Sequence, residues 1–459
     1  MAYLHGISVT EQEQQTVVEG SYTIAIVGTA AIGDKDVPVR VRSLAQMRDT
    51  FGYPTPGATL SKAVDILLRY KGGNIVCVNV ATPAVTREAA FNVTLSGNTA
   101  TLPHAHIDNV VVTDITAATT YVDGTDYRVD LVKGEIERVS SGAIASGDTI
   151  KVAYDRPDFS GVAEADVVGG TSPATGTRTG IDVLLNSNAV LGLKPDVIVT
   201  PGFRSVAVVE KLGRVSKSLR CQYIVDSESA KTVQEAIDAR SGDPTTEPMA
   251  IKDERAILTY PATLMSVSQT GGVIVEPFSV NLAGVMALKK YWLSPSNKPL
   301  IGIRGYEVPI LFDLSDPTAD SSRLNNAGYV TYFPIGGKDP RAWGNFNGSR
   351  EPDEENISQI IQVIEIKDRL SRQIEAAAVS YVDRNLTAGN INAIEELIGD
   401  ILANQPKEAI VKFVAPKFSS EDSDIPKRIL AFALTAEPAV PIEQISILNT
   451  FVTTISLQV

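Results

Sequence analysis

The segment Tyr22–Asp34 (YTIAIVGTAAIGD) has the order of a phosphate-binding loop, because an apolar strand runs into spaced glycines. Gly28 and Gly33 have the spacing of the glycines in a P-loop, which cradles phosphate and continues with Lys and then Ser or Thr. This chain continues with Asp34 and Lys35, and the Asp34 carboxylate would repel a phosphate. The dinucleotide pattern G-x-G-x-x-G also does not occur in the sequence. We therefore interpret the segment as a structural turn after a core strand.

A histidine pair, His104 and His106 in the segment PHAHI, is the second candidate for chemistry. In a strand the two side chains share a face and would supply two ligands of a metal site. Asp108 is the only further ligand nearby in the sequence. No complete metal site is predicted, and we interpret the pair as part of a surface loop or a strand edge.

Ser205, Asp226 and Glu276 are the residues from which a hydrolytic site would have to be assembled. No histidine lies near them in the sequence, and no G-x-S-x-G nucleophile elbow occurs. We expect no catalytic residues and no cofactor. A ligand-binding or catalytic enzyme on an α/β domain remains the alternative function, because such sheets often bind ligands at the carboxyl ends of their strands.

The charge balance restricts the partners of the chain. Across 459 residues the formal net charge is −13, which disfavours contact with nucleic acid or with an anionic membrane. No stretch approaches the roughly twenty apolar residues of a membrane span, and the first residues do not form a signal peptide. Cys77 and Cys221 lie in apolar strand-like runs and are expected to be buried free thiols. The chain is therefore predicted to fold in cytoplasm, without binding nucleic acid or inserting into a membrane.

Hydrophobic periodicity predicts a multidomain α/β fold, or α+β over the whole chain. Runs such as YTIAIVG and NIVCVNVA are apolar on both faces and alternate with amphipathic helices, which favours a mostly parallel sheet covered on two sides. From about residue 86 to residue 159 the pattern changes to short alternating runs separated by Gly, Asp and Asn, which is typical of a β-rich insertion. Within it, Lys133 and Gly134 are predicted to turn a hairpin, because glycine readily adopts positive φ.

The C-terminal part is predicted to contain a long helix marked by apolar residues from Ile357 to Tyr381. Asn392 and Glu395 are predicted to cap the start of a shorter helix that continues to Leu402. The predicted organisation is an N-terminal arm at 1–20, a discontinuous α/β middle domain at 21–85 and 160–345, an inserted β-rich domain at 86–159, a smaller inner α/β C-terminal domain at 346–440 and a C-terminal arm strand at 441–459.

In the last fifteen residues of the sequence, apolar side chains recur at every second position, which is typical of a strand. Because chain ends usually fray, a strand pattern that reaches the final residue needs partner strands, either in the same molecule or in another. If the partner is another copy, the contact is head-to-tail and generates rings or filaments. The apolar positions of this strand are Ile445, Ile447, Phe451, Ile455, Leu457 and Val459.

The second half of the chain contains the segments SVNLAGVMALKKYWLSPSNKPLIGI and LNNAGYVTYFPIGGKDPRAWGNFNGSR. Both segments resemble the tail sheath proteins of contractile bacteriophage tails. These proteins are related to the sheaths of R-type bacteriocins and other contractile injection systems. The segment GISVTE near the start and the β-rich insertion also resemble parts of these proteins. The loop YFPIGGKDPRAWGN departs from the family pattern, because Pro334 and the charged stretch 338–341 lengthen it. The matching residues are Asn297, Lys298, Asn325, Gly328, Trp343, Gly344 and Arg350.

This resemblance implies a structural subunit that assembles as stacked hexameric rings around a tail tube. Contraction of the polymer drives the tube through the host envelope for genome delivery. The implied partners are other copies of the chain, the tail tube protein, and baseplate and tail terminator proteins. The implied location is the virion tail sheath, assembled in the host cytoplasm. A bacterial surface filament is a weaker alternative, because the sequence lacks a signal peptide.

The resemblance also implies two groups of contact residues. Ile7 and Val9 of the front arm, together with the apolar residues of the C-terminal strand, are expected to pair with sheets of neighbouring subunits. The polar side of the long helix, with Lys367, Arg369 and Arg372, is the candidate for contact with the tube. Trp343 and Gly344 are expected to organise a junction next to the inner domain.

Overall fold

The computed structural model of the chain describes residues 22–267, 273–334, 339–354 and 356–443. Its elements are numbered along the chain. The strands are β1 Thr23–Gly28, β2 Pro38–Val41, β3 Asn74–Asn79, β4 Ala84–Thr94, β5 Thr99–Thr101, β6 Asp108–Thr113, β7 Tyr127–Asp130, β8 Glu135–Arg138, β9 Thr149–Asp158, β10 Gly170–Thr171, β11 Arg178–Thr179, β12 Val197–Val199, β13 Gln222–Asp226, β14 Ala256–Thr259, β15 Thr263–Val267, β16 Val273–Pro277, β17 Ile303–Tyr306, β18 Tyr329–Phe333, β19 Arg341–Trp343, β20 Ile410–Asp424 and β21 Ile429–Pro438. The helices are α1 Leu44–Phe51, α2 Thr59–Tyr70, α3 Glu164–Val168, α4 Ser187–Leu191, α5 Val206–Leu219, α6 Val233–Arg240, α7 Phe278–Leu288, α8 Asp320–Asn326, α9 Ile361–Ala378 and α10 Ala388–Ala403.

An eight-stranded sheet in the order β19-β18-β14-β13-β12-β1-β3-β2 forms the centre of the fold. Its six inner strands are parallel, and β2 and β19 pair antiparallel at the two edges. Every residue of β1 is buried. Ile24 and Ile26 belong to the core formed with α2 and α7, whereas Ala25 and Val27 belong to the core formed with α5. The predicted α/β class, with a mostly parallel sheet covered on both faces, is confirmed.

The β-rich segment folds as two three-stranded sheets, β4-β9-β6 and β5-β8-β7, around its own apolar core. The predicted hairpin is present, because β7 and β8 pair antiparallel on either side of Lys133 and Gly134. Gly134 has φ of 71°, and a Cβ atom there would lie 2.0 Å from the carbonyl oxygen of His104. Glycine is therefore required both by the turn and by the close approach of the neighbouring chain.

Two helix boundaries in the C-terminal part differ from the sequence prediction. Ile357 starts a single 3-10 turn and is 53% exposed, and Ile360 has extended backbone, so α9 begins only at Ile361. The cap of α10 is Thr387, whose hydroxyl accepts a hydrogen bond from the backbone N–H of Asn390. The expected cap at Asn392 was wrong, because the helix has already begun there. None of the helices in the described ranges is long and apolar enough to cross a membrane.

Candidate assembly site

The hairpin of β20 and β21 is the candidate assembly site. These strands form a separate two-stranded sheet among the described residues, so each of them is an edge strand. Phe413, Phe432 and Ala436 pack against Ile398 and Leu402 of α10 and so fix one face of the hairpin. Much of the remainder is solvent-exposed. Because two strands alone are marginally stable and an open edge is a template for pairing, this hairpin can accept a further strand.

The start of the C-terminal arm is attached to the base of this hairpin. The backbone N–H of Ala439 donates to the carbonyl oxygen of Ala409 at 3.0 Å, and the side-chain amide of Gln362 donates to the carbonyl oxygen of Ala439 at 3.1 Å. Ile442, three residues farther on, is 82% exposed. The chain therefore continues past the base of the hairpin with an apolar side chain, that of Ile442, directed into solvent.

The predicted arm residues lie beyond this point. All of them fall outside the described residues, so their pairing stays a prediction. They are Ile7 and Val9 in the front arm and Ile445, Ile447, Phe451, Ile455, Leu457 and Val459 in the C-terminal arm.

Two buried ion pairs that sequence reasoning missed join helix α9 to the end of α7 and to the start of β14. Lys289, whose side chain is 1% exposed, contacts Glu365 at 2.5 Å, and Arg255 contacts Asp368. Burial raises the pKa of Glu365 to about 7, against the opposing effect of Lys289. Burial likewise raises the pKa of Asp368 to about 6, with Arg255 opposing it. Nothing in the local sequence distinguishes these two carboxylates from the exposed charges of the same helix.

The three candidate tube-contact residues on α9 lie in different surroundings. The Arg372 guanidinium donates to a carboxylate oxygen of Asp196 at 2.8 Å and to backbone carbonyl oxygens, including that of Arg220. The Arg369 guanidinium lies over the ring of Tyr291, 5.0 Å from its centroid. Lys367 is 57% exposed and forms a 3.1 Å ion pair with Glu254. Of the three, Lys367 therefore has the most accessible charge.

Lys367 lies at the rim of a polar surface depression of about 610 Å³. Lys194 and Lys217 also line it, and both are exposed. Six cationic and three anionic side chains line the depression in all, so it is locally positive although the chain as a whole is acidic. A positive surface of this kind favours an acidic partner.

The residues that carry the family resemblance meet at one junction beside β18 and β19. Gly328 has φ of 86°, and a Cβ atom there would lie 2.9 Å from the Cβ atom of Arg350. A Cβ atom on Gly344 would lie 2.7 Å from the side-chain amide group of Asn325. The backbone N–H of Asn297 donates to the carbonyl oxygen of Ala342 at 2.7 Å. These glycines are therefore needed for close packing.

Comparisons with known proteins identify the family of the chain. The family model described as Protein of unknown function UCP028589 matches residues 76–165, which include the β-rich segment. The tail sheath protein of Burkholderia phage BcepMu is 30% identical over 411 residues, which cover 86% of this chain and 85% of that protein. The chain belongs to the tail sheath protein family.

Further relatives and solved structures extend the similarity over the whole fold. A putative prophage major tail sheath protein of Pseudomonas aeruginosa (strain UCBPP-PA14) is 27% identical over 235 residues, covering 50% of this chain and 57% of that protein. The helical sheath of the anti-feeding prophage in its contracted state has a TM-score of 0.57 at 12% identity, covering 98% of this chain and 99% of that one. As a member of this family, the chain is a structural sheath subunit.

In the turn after β1, backbone amides that could bind a phosphate donate to protein side chains instead. The N–H of Thr29 donates to the hydroxyl of Thr59 at 3.0 Å, and the N–H of Ala30 donates to the side-chain oxygen of Asn79 at 3.0 Å. The first amide of α2, that of Thr59, donates to the Thr29 hydroxyl at 3.0 Å. These amides are therefore occupied, which agrees with a structural turn.

The histidine pair also has structural contacts. The Nδ1 atom of His104 lies 2.8 Å from the hydroxyl of Tyr154. The Nε2 atom of His106 accepts from the backbone N–H of Tyr53 at 2.8 Å, which ties the β-rich segment to the loop after α1. Burial lowers the pKa of both histidines. Within the described ranges no group of three or more His, Cys, Asp or Glu residues is arranged for a metal ion.

The three residues considered for catalysis have separate structural roles. The Ser205 hydroxyl caps α5. The Asp226 carboxylate accepts from the backbone N–H of Ser279 at 2.6 Å, and burial raises its pKa to about 6. Glu276 contacts Arg69 at 2.5 Å. In the part of the chain that the structure describes, none of these three side chains is hydrogen-bonded to another of them, so the structure does not assemble a nucleophile and its base.

Proposed function

We propose that this chain polymerises as stacked hexameric rings around a tail tube and contracts to drive the tube through the host cell envelope. The observation that carries this proposal is the hairpin of β20 and β21, a two-stranded sheet with an open edge in a chain that also has strand-patterned ends. Pairing of an arm from one copy with the hairpin of another is head-to-tail, so it propagates into a ring or a helix. The alternative of an α/β enzyme has no comparable support.

Contraction in this proposal is a rearrangement of whole subunits between two packing states. Two contacts of α9 support it. The buried pairs hold α9 against Lys289, which follows α7, and Arg255, which precedes β14, and Ile366 of α9 packs in one apolar cluster with Ile410 of the hairpin. Force on an arm can therefore move the subunit as a unit. Baseplate and tail terminator proteins lie at the two ends of the polymer. The assembled sheath belongs to the virion tail and is built in the host cytoplasm, with no direct contact to nucleic acid and no insertion into a membrane.

Electron microscopy of the purified protein tests the assembly. We expect ringed tubes or sheath-like polymers in negative stain, because the strand partners are supplied by identical copies. Dilution from denaturant would supply the starting monomers. A chain that remains monomeric at high concentration, under conditions where its circular dichroism shows it to be folded, would contradict the proposal.

We further propose that the positive depression around Lys367 contacts the tail tube. Lys367→Ala removes an exposed cation whose ion pair with Glu254 contributes at most about 1 kcal/mol to stability. We expect polymer formation without the tube to be unchanged, whereas the amount of tube protein that co-purifies with the sheath falls several-fold. Lys151→Ala, which removes a lysine from the β-rich segment, is the matched control and should co-purify as the wild type does. Equal recovery of tube protein by all three proteins would refute this contact.

A further inference from the structure

The β-rich segment, residues 84–158, has its own apolar core and is held to the rest of the subunit by few contacts. Within the described ranges, two hydrogen bonds join it to other parts of the chain, and both reach the loop between α1 and α2. The backbone N–H of Tyr53 donates to His106. The backbone N–H of Ala105 donates to the hydroxyl of Thr55 at 3.3 Å. His106 therefore supplies one of the two hydrogen bonds of this attachment.

The ring of His106 fits closely against the same loop. A Cβ atom on Gly52 would lie 2.3 Å from the Nε2 atom of His106, so a side chain at position 52 would displace the ring. His106 itself has φ of 56°, in the left-handed region that non-glycine residues seldom adopt. Such a conformation persists where the surrounding structure requires it. The ring is therefore positioned both by its own backbone and by the loop that it contacts.

The hydrogen bond from Tyr53 requires a neutral imidazole. A backbone N–H can only donate, so the Nε2 atom of His106 must carry a lone pair and the ring hydrogen must be on Nδ1. A protonated ring has a hydrogen on both nitrogens, which places a second donor opposite the N–H of Tyr53. Burial lowers the pKa of His106, in agreement with a site that favours the neutral ring. Protonation of His106 therefore breaks this hydrogen bond.

The charged groups around the ring do not compensate for an added proton. On α1, the Arg48 guanidinium lies over the ring of Tyr53, 4.7 Å from its centroid. The backbone N–H of His106 donates to the turn between β7 and β8, where Lys133 forms a 3.2 Å ion pair with Asp130. Among the described residues, no carboxylate is hydrogen-bonded to the His106 ring. An imidazolium at this position would therefore have no anionic partner to stabilise it.

Two connections, residues 80–83 and 159–163, join the β-rich segment covalently to the rest of the subunit. The second connection packs against the same loop, because a Cβ atom on Gly57 would lie 2.6 Å from the ring of Phe159. This contact involves no ionisable group, so it does not depend on pH. The segment can therefore pivot at Phe159 when the hydrogen bond to His106 is lost.

We propose that His106 is a pH-sensitive latch, which docks the β-rich segment on the loop 52–58 when its ring is neutral and releases the segment when its ring is protonated. The released histidine is solvated and titrates near its ordinary pKa of about 6.5, whereas the docked histidine binds a proton less readily. Docking is therefore complete above this pH and is lost as the pH falls below it. The ratio of released to docked subunits rises by up to about tenfold per pH unit. The inference concerns the single subunit and does not depend on the proposed polymer.

Pulsed electron paramagnetic resonance between two spin labels on the full chain tests the latch. The labels are attached at Ser140→Cys in the β-rich segment and at Glu210→Cys on α5, which are both exposed positions. Cys77 and Cys221 are buried and do not compete for the label. Dilution with unlabelled protein removes distances between copies. We expect one narrow distance distribution at pH 7.5, and at pH 5.0 a second, broader population that is several-fold larger than at pH 7.5.

Substitutions of the two neighbouring histidines assign the response. His106→Gln keeps an acceptor oxygen near the position of Nε2 but does not titrate, so it should stay docked at both pH values. His106→Ala removes the acceptor and should be released at both. His104→Gln is the matched control and should respond as the wild type does, because the Tyr154 hydroxyl can accept from a protonated His104 as well as donate to a neutral one. Identical wild-type distributions at both pH values, a response that persists in His106→Gln, or a response that disappears in His104→Gln would overturn the inference.

Discussion

Deleting Ile445–Val459 leaves a folded chain that no longer polymerises. Burial of the six apolar side chains of this arm contributes about 9 to 18 kcal/mol, whereas ordering fifteen residues costs on the order of 15 to 30 kcal/mol of backbone entropy. Side-chain burial alone therefore does not hold the arm, and ladder hydrogen bonds to another strand are required. Sedimentation and negative-stain microscopy measure the loss of polymer.

A pair of substitution variants distinguishes strand pairing from a general effect of truncation. Phe451→Ser with Ile455→Ser changes the apolar side of the predicted strand and should reduce assembly strongly. Thr450→Ser with Thr454→Ser changes the opposite side and should have little effect. Assembly of the deletion variant at wild-type efficiency would show that the arm is not part of the subunit contact.

Lys289→Met destabilises the subunit in a pH-dependent way. At pH 8 the folded chain must either hold the unpaired Glu365 carboxylate in a buried site or protonate it, and breaking a buried pair in this way costs about 3 to 5 kcal/mol. Burial raises the pKa of Glu365, so folding favours the protonated form of its carboxyl group. Protonating this carboxylate costs little free energy at acidic pH. At pH 5 the expected loss is about 1 kcal/mol or less.

Urea unfolding followed by tryptophan fluorescence measures this effect, because Trp292 lies three residues from Lys289. The control is Lys289→Met combined with Glu365→Gln, in which no carboxylate remains to titrate at this position. We expect the difference between pH 5 and pH 8 to disappear in the double variant. An equal loss of stability at both pH values in Lys289→Met would mean that Glu365 is not the group responsible.

Local sequence pattern was sufficient to predict several individual elements. The continuous apolar run of β1 predicted a strand buried on both faces. The positive φ available to Gly134 predicted the hairpin at Lys133 and Gly134. Hydrophobic periodicity predicted the ends of helices less reliably. Ile357 fits the apolar spacing of α9 but lies before the helix, because extended backbone at Ile360 interrupts it.

The sequence also predicted the family, because the segments around Asn297, Gly328 and Trp343 resemble the family pattern. The structure adds the reason for two of the residues that match the family pattern, because the surroundings of Gly328 and Gly344 leave no room for a Cβ atom.

The sequence by itself determined the class of each main element and the family, because periodicity and turn residues act over a few neighbours. Only the tertiary structure decided which charges are buried and which backbone amides are bound by distant side chains. Glu365 and Asp368 resemble ordinary surface residues until Lys289 and Arg255 are brought against them from distant parts of the chain. The backbone N–H of Phe418 on β20 is likewise bound by Glu395 of α10. Such contacts join residues far apart in the chain, so no local pattern encodes them.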